Sequence, residues 1–252
     1  MKNDVPQRTF THRELSGGGG GLLARFVRLY KRRRARLRFQ AQRRIASLPV
    51  EQLFPRLSST RACIQAAVRG PAAAGNVSLQ ELVILSSACK LFCPKAVFEF
   101  GTYDGLTALH LAMNAPGSAR VFTLDLDPAD PLRREAADDT YYTRDIPVGQ
   151  QFQGTEFARK IQQLFGNSVA FDAATFAKKV DFLFVDGGHD YEVVACDSRK
   201  ALEMVAPGGT VFWHDYSFVH EGVYTCLNEL STAIPLQQIA GTALVCYRHL
   251  NR

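Results

Sequence analysis

Residues 180–185, Val-Asp-Phe-Leu-Phe-Val, are an apolar run broken only by Asp181, and the run stops at Asp186-Gly187-Gly188-His189-Asp190-Tyr191. Residues 96–100, Ala-Val-Phe-Glu-Phe, stop in the same way at Gly101-Thr102-Tyr103-Asp104-Gly105. Near-continuous apolar runs of this length suit strands buried on both faces, the condition of a parallel sheet covered by helices. Each run passes through an acidic or Gly-rich turn into a helical pattern. Each therefore delivers its turn residues to the carboxyl end of a sheet, where open α/β sheets bind ligands. A ligand is expected at the first turn and chemistry at the second.

Strand and helix patterns alternate through the rest of the chain. A helix is expected over 78–92, with Ser78 as N-cap and Glu81 placed for a capping box. The strand at 96–100 leads to a helix over 105–114, then to a strand at 120–124. A helix over 155–165, a short strand at 168–171 and the strand at 180–185 follow. The helix predicted over 191–205 stops at Pro207-Gly208-Gly209, ahead of a strand at 210–213 and a helix over 222–231. Residues 236–240 and 242–247 read as strands joined around Gly241, which demands antiparallel pairing. The fold class is α/β: a Rossmann-like, doubly wound, mostly parallel seven-stranded sheet with a C-terminal antiparallel hairpin. Residues 127–154, with Tyr141, Tyr142, Arg144 and Asp145, are either a substrate lid or a disordered insertion.

Charge divides the chain. Residues 1–50 hold thirteen Lys/Arg against Asp4 and Glu14, whereas the remainder holds 17 basic and 22 acidic residues. Basicity is thus an N-terminal property. Residues 1–21, with five consecutive glycines at 17–21, are expected to be a flexible tail. Residues 22–75 should form a basic amphipathic helix (22–47) and a helical connector, and 76–252 the main domain. The basic helix has three open roles: packing on the acidic body or in a homo-oligomer, peripheral contact with an anionic membrane, or nucleic-acid binding. Nucleic acid is the weakest of these, because the main domain is acidic and carries no RNA-binding signature. No apolar run is long enough to span a bilayer. Six cysteines without a C-x-x-C pair fit reduced thiols in the cytoplasm. A place at the inner face of a membrane is compatible with that.

Glu99-x-Gly101-x-x-x-Gly105 ends one strand and opens a helix. The glycines let backbone approach a ligand, and free N–H groups of the helix start face it. Asp125, twenty residues after Gly105, is placed to accept hydrogen bonds from ribose hydroxyls. Tyr103 stands where a dinucleotide fingerprint has its second glycine, so a nucleoside without phosphates is easier to hold.

On these residues, and on the order of its elements, the chain resembles the class I S-adenosylmethionine-dependent methyltransferases over roughly residues 76–248. The resemblance implies that Glu99, Gly101, Thr102, Tyr103 and Gly105 hold the methionine part of S-adenosyl-L-methionine and that Asp125 holds its ribose. It implies that Asp172 flanks the adenine, although Phe171-Asp172-Ala173 stands where that family has Gly-Asp-Ser/Thr. Within the class the chain is similar to a small-molecule group marked by Asp-Gly-x-His-x-Tyr and His-Asp, here residues 186–191 and His214-Asp215. The segment 149–155, Gly-Gln-Gln-Phe-Gln-Gly-Thr, also looks like that group.

Methyl transfer from a sulfonium to oxygen needs an aligned acceptor and removal of its proton. His189, Asp186 and Asp215 are the candidate catalytic residues. In one use, His189 is the general base, oriented by Asp186 or Asp215. In the other, Asp186 and Asp215 bind a divalent cation, Mg or Mn, that acidifies the acceptor hydroxyl. Related metal-dependent O-methyltransferases place an acid where this chain has His214. Strand alternation also allows His214 to point to the opposite face from Asp215. The expected function is O-methylation of a small molecule or sugar. The alternatives are a nucleic-acid methyltransferase guided by the basic arm and a non-catalytic binding protein.

Overall fold

The computed structural model describes residues 19–67, 75–132 and 146–249, so Tyr141, Tyr142, Arg144 and Asp145 lie outside the described residues. The chain divides after Gln42 into two units. The first contains helix α1 (Gly19–Gln42), which carries no acidic residue. It begins within the glycine tract, where helical glycine costs about 1 kcal/mol per residue relative to alanine. It also ends earlier than the expected 22–47. Ala46–Leu48 instead forms strand β1, because its backbone finds hydrogen-bonding partners in a sheet.

The second unit holds β1 and seven further strands: β2 (Ala96–Phe100), β3 (Arg120–Asp125), β4 (Ile161–Phe165), β5 (Val180–Val185), β6 (Val205–Trp213), β7 (Gln237–Ile239) and β8 (Val245–Arg248). Their order is β1-β7-β8-β6-β5-β2-β3-β4, with β8 antiparallel to both neighbours and every other pairing parallel. The sheet therefore has eight strands rather than seven. β1 is the addition: it pairs with β7, and Arg43 donates to the Gln238 side chain at 2.6 Å. Ile45, ahead of β1, is buried.

Helices α2 (Val50–Leu53) and α3 (Pro55–Ser59) follow β1, and Phe54 between them is buried against Phe92 and Phe212. The longer helices are α4 (Leu79–Phe92), α5 (Leu106–Asn114), α6 (Tyr191–Met204) and α7 (Glu221–Leu230). α4 packs on α5 and α6 on α7. The predicted capping box of α4 is present, with Ser78 and Glu81 bonded reciprocally. Phe98, Phe100, Phe182, Phe184 and Phe212, all in the central strands, are fully buried. Each contributes about 1.5–3 kcal/mol on burial.

β4 departs from expectation. Residues 155–165 were expected as a helix and 168–171 as a strand, but Ile161–Phe165 is the strand and follows a short 3-10 turn at Ala158–Lys160. Ile161, Leu164 and Phe165 have helical spacing, which is why local pattern favours a helix. Pairing with β3 supplies the ladder that overrides it.

Candidate active site

The chain runs from β2 outward to β3 and β4, then returns to β5 on the other side of β2. That reversal opens a crevice at the carboxyl ends of β2 and β5. A cleft of about 310 Å³ lies there, with Gly101, Thr102 and Tyr103 on one side and Asp186, His189, His214, Asp215 and His220 on the other.

Gly101 and Gly105 have structural reasons for lacking a side chain. Gly101 has φ +93°, and a Cβ on it would lie 2.0 Å from the Asp186 carbonyl oxygen. Asp186 N–H in turn donates to the Phe100 carbonyl at 2.8 Å. Gly105, at φ +87°, has its Cβ space filled by Phe152 and Gly149. The close approach expected toward a ligand is thus an approach to protein: these glycines let the two strand ends and the 149–155 turn touch. That turn is fixed to the loop by Gly149 N–H on Tyr103 O and Gln151 N–H on Asp104 O. The buried Asp104 carboxylate takes bonds from Asn76, Leu106 N–H and Gln151.

Glu99 is 1% exposed and stands beneath the loop rather than in the cleft lining. Thr123 Oγ1 donates to it at 2.5 Å. Since that hydroxyl has one proton, Thr102 Oγ1 donates to Thr123 at 2.7 Å, and Gln163 donates to Thr102 at 2.9 Å. This ladder ties β4, β3 and β2 to the cleft wall at Thr102. Burial pushes the Glu99 carboxyl well above its usual range against the Thr123 bond, and the charges of Asp186, Asp125 and Asp104 push the same way. Thr123 and Gln163 were not legible as site residues, because they lie in strands the motif does not include.

Asp125 ends β3 and accepts from Tyr103 N–H and Leu126 N–H, both at 2.7 Å. The acid therefore stands at the end of β3 beside the Gly101–Gly105 loop. Asp172 does not end a strand. With β4 ending at Phe165, Asp172 is exposed and accepts from Ala174 N–H at 2.9 Å, ahead of a short 3-10 helix. Gly166-Asn167-Ser168 holds the strand-end place instead.

The opposite wall concentrates carboxylates and imidazoles. His214 faces the cleft, because β6 ends at Trp213 and strand alternation no longer fixes its direction. Its Nδ1 is 3.0 Å from Asp186 and its Nε2 is 3.3 Å from Glu81. Glu81 also accepts from Ser78 and from Ala243 N–H, joining α4 to the loop before β8. Burial opposes charge on both partners. The bond and charge of His214, with Ser78 and Ala243, nevertheless hold Glu81 down at about 2, and Asp186, Asp215 and Glu81 lift His214 well above its usual range.

Asp215 has the left-handed φ +59°, which Asp tolerates better than most residues. Its carboxylate meets His189 Nε2 at 2.8 Å, His214 Nδ1 at 3.4 Å and His220 Nε2 at 3.4 Å. Burial would raise Asp215, but the His189 and His214 bonds hold it far below the carboxylate range. Burial would lower His189, but the Asp215 bond and charge raise it; His220, less strongly held, is lowered by burial. His220 belongs to no motif. Its only sequence signal was a third histidine shortly after His214-Asp215.

Two groups among the described residues have the composition and spacing of a metal site: Asp186–His214–Asp215 and His189–Asp215–His220. In the first, both ring nitrogens of His214 face carboxylates and so carry protons, leaving the ring no lone pair for an ion. The expected Asp186/Asp215 pair is thus bridged by an imidazolium and does not fit a Mg or Mn ion.

The family described as a methyltransferase domain matches residues 98–216. No curated protein matches the sequence. Among solved structures, the O-methyltransferase TomG from Streptomyces achromogenes, in complex with SAM, is 16% identical with a TM-score of 0.51, covering 71% of this chain and 82% of its own. A putative O-methyltransferase from Klebsiella pneumoniae is 17% identical with a TM-score of 0.52, covering 72% and 84%. An O-methyltransferase from Bacillus cereus, in complex with SAH, is 15% identical with a TM-score of 0.50, covering 78% and 89%. At these identities the likeness is one of fold. Family match, strand order and glycine-loop motif agree: residues 98–216 are a methyltransferase domain of the class I, S-adenosylmethionine-dependent type.

Proposed function

We propose that this chain transfers the methyl group of S-adenosyl-L-methionine to a hydroxyl oxygen of a small molecule or sugar. The observation that carries the reading is that one cleft joins the Gly101–Tyr103 loop to Asp186, His189 and Asp215. The cofactor's methionine end would lie along the loop, its ribose on Asp125, and its adenine beside Asn167 rather than Asp172. Asp186 and Asp215 suit a cationic sulfonium, and the acceptor's proton leaves at the His189–Asp215 pair. As the O–CH3 bond forms, the C–S bond breaks and the electron pair returns to a neutral thioether. The solved O-methyltransferases of the same fold support oxygen as the acceptor.

Calorimetry with S-adenosylmethionine, followed by methyl transfer to a panel of hydroxylated small molecules and sugars, tests this. Binding with transfer to oxygen is expected; absence of binding overturns the reading. α1 extends it. No described helix is long and apolar enough to cross a membrane. A helix with many arginines and no acid suits the surface of an anionic one, which would place the enzyme at the inner face from the cytoplasm. Flotation with phosphatidylserine vesicles, lost at high salt, is the expected result, and equal recovery with neutral vesicles contradicts it.

A further inference from the structure

Asp215 meets three imidazoles from a left-handed backbone conformation. Away from glycine such a conformation persists only where the surrounding structure over-determines it. The chain is therefore fixed on both sides of Asp215. Before it, His214 N–H donates to Val185 O at 3.1 Å, and the ring is held by Asp186 and Glu81. After it stands Tyr216, which is 1% exposed and does not line the cleft.

Tyr216 is held at both ends. Its N–H donates to Ala243 O at 3.0 Å, and its hydroxyl donates to Asn228 Oδ1, on α7, at 2.7 Å. The same Oδ1 accepts Arg44 N–H at 3.0 Å. A backbone N–H can only donate, so the amide oxygen must face that point, and the Tyr216 proton is directed onto it. The Ile45 backbone also reaches the phenol: burial pushes Tyr216 up, opposed by that bond, by the Arg43 charge and by Asn228. Residues 43–45 thus close over the hydroxyl of the residue that follows Asp215. A second path leads from this segment to the same place. Arg43 donates to Gln238 at 2.6 Å, and Gln238 donates to Thr242 O at 2.7 Å. The next residue, Ala243, accepts Tyr216 N–H and donates to Glu81.

We propose that Tyr216 and Asn228, closed over by Arg44 and Ile45, are positioning residues for Asp215, so that the segment adding β1 to the sheet is part of the active site's support. This deepens the methyl-transfer reading and rests on it for the effect on turnover. When Tyr216 loses its hold, Asp215 relaxes toward ordinary backbone and its carboxylate leaves His189 Nε2, 2.8 Å away. Arg43, Arg44, Tyr216 and Asn228 do not line the cleft, and their effect passes through Asp215.

His189 reports that contact without any ligand. Burial lowers its ring; the Asp215 bond and charge outweigh burial, with Asp186 in support and His214 opposed, and the His220 ring lies 4.2 Å away. The test is NMR titration of the His189 ring in the full-length chain, wild type against Tyr216→Phe and Asn228→Leu. Val121→Ala, a buried change in β3, controls for lost stability. The proton affinity of His189 should fall about two- to tenfold in Tyr216→Phe, the span of one buried hydrogen bond, and further in Asn228→Leu, which also strips the acceptor from Arg44. Val121→Ala should leave it unchanged. With an acceptor found in the panel, kcat should fall in the same order while the KM for S-adenosylmethionine stays put. Should Asn228→Leu fail to fold, Tyr216→Phe, which deletes a single oxygen, carries the test. A His189 titration unchanged in Tyr216→Phe, or moved equally by Val121→Ala, overturns the proposal, as does an unchanged kcat. A wild type that binds no S-adenosylmethionine would instead fault the methyltransferase reading, and the His189 titration would still decide the positioning.

Discussion

Glu81 is the residue whose replacement tests the architecture of the site most sharply, because it joins three elements. It is 5% exposed, caps α4, holds His214 and takes the Ala243 amide from the loop before β8. Glu81→Gln keeps the shape and one acceptor oxygen, but its amide cannot accept from Ala243 N–H on one side and from Ser78 and His214 on the other. The fall of the carboxyl from 4.5 to about 2 corresponds to about 3 kcal/mol of stability, shared with His214. The sign follows from linkage. A carboxylate depressed in the folded state contributes fully above its unfolded value of 4.5 and loses that contribution as pH falls toward about 2. Urea denaturation followed through the fluorescence of the single, buried Trp213 is the assay. At pH 7 the variant should be less stable by about 3 kcal/mol, and the gap should narrow between pH 4.5 and pH 3. A difference within about 0.5 kcal/mol at pH 7, the range of ordinary surface changes, would refute the reasoning.

Other substitutions probe separate parts of the account. Gly101→Ala places a Cβ 2.0 Å from the Asp186 carbonyl at a left-handed φ; strained backbone alone costs about 1–3 kcal/mol, so a loss above that in denaturation is expected, and a near-neutral variant contradicts the close approach. Thr123→Val removes the donor to buried Glu99; a loss of about 1–3 kcal/mol is expected, and an unchanged urea midpoint would deny the ladder. Asp125→Ala should weaken S-adenosylmethionine at least tenfold in calorimetry, whereas Asp172→Ala should leave affinity within about twofold; the reverse order would restore Asp172 to the site.

The sequence was most legible where one element's local preference agreed with its burial. Val180–Val185 is apolar almost throughout because both its faces are covered, and Ser78 with Glu81 announces the start of α4 without help from the rest of the chain. Asp186, His189 and Asp215 were readable because they follow such strands directly. β1 and β4 were not, since three or five residues at a sheet edge carry too little pattern to outweigh helical spacing, and only their partners β7 and β3 decide them. Asp172 was expected after a strand at 168–171 and lies away from a strand end because β4 closes at Phe165. Glu81's bond to His214, a sequence separation of 133, and His220's place on Asp215 arise only from tertiary packing.

The central claim is that a sulfonium nucleoside lies across the ends of β2, β3 and β5 with its methyl facing the Asp215 cluster. A crystal structure with S-adenosylhomocysteine tests it most directly. The account predicts ribose hydroxyls on Asp125, the amino-acid end along Gly101–Tyr103, and the sulfur turned toward Asp186, His189 and Asp215. A nucleoside bound elsewhere, as in the groove between α6 and α7 lined by Tyr191, Arg199 and Glu229, or one whose sulfur faces away from Asp215, would contradict it.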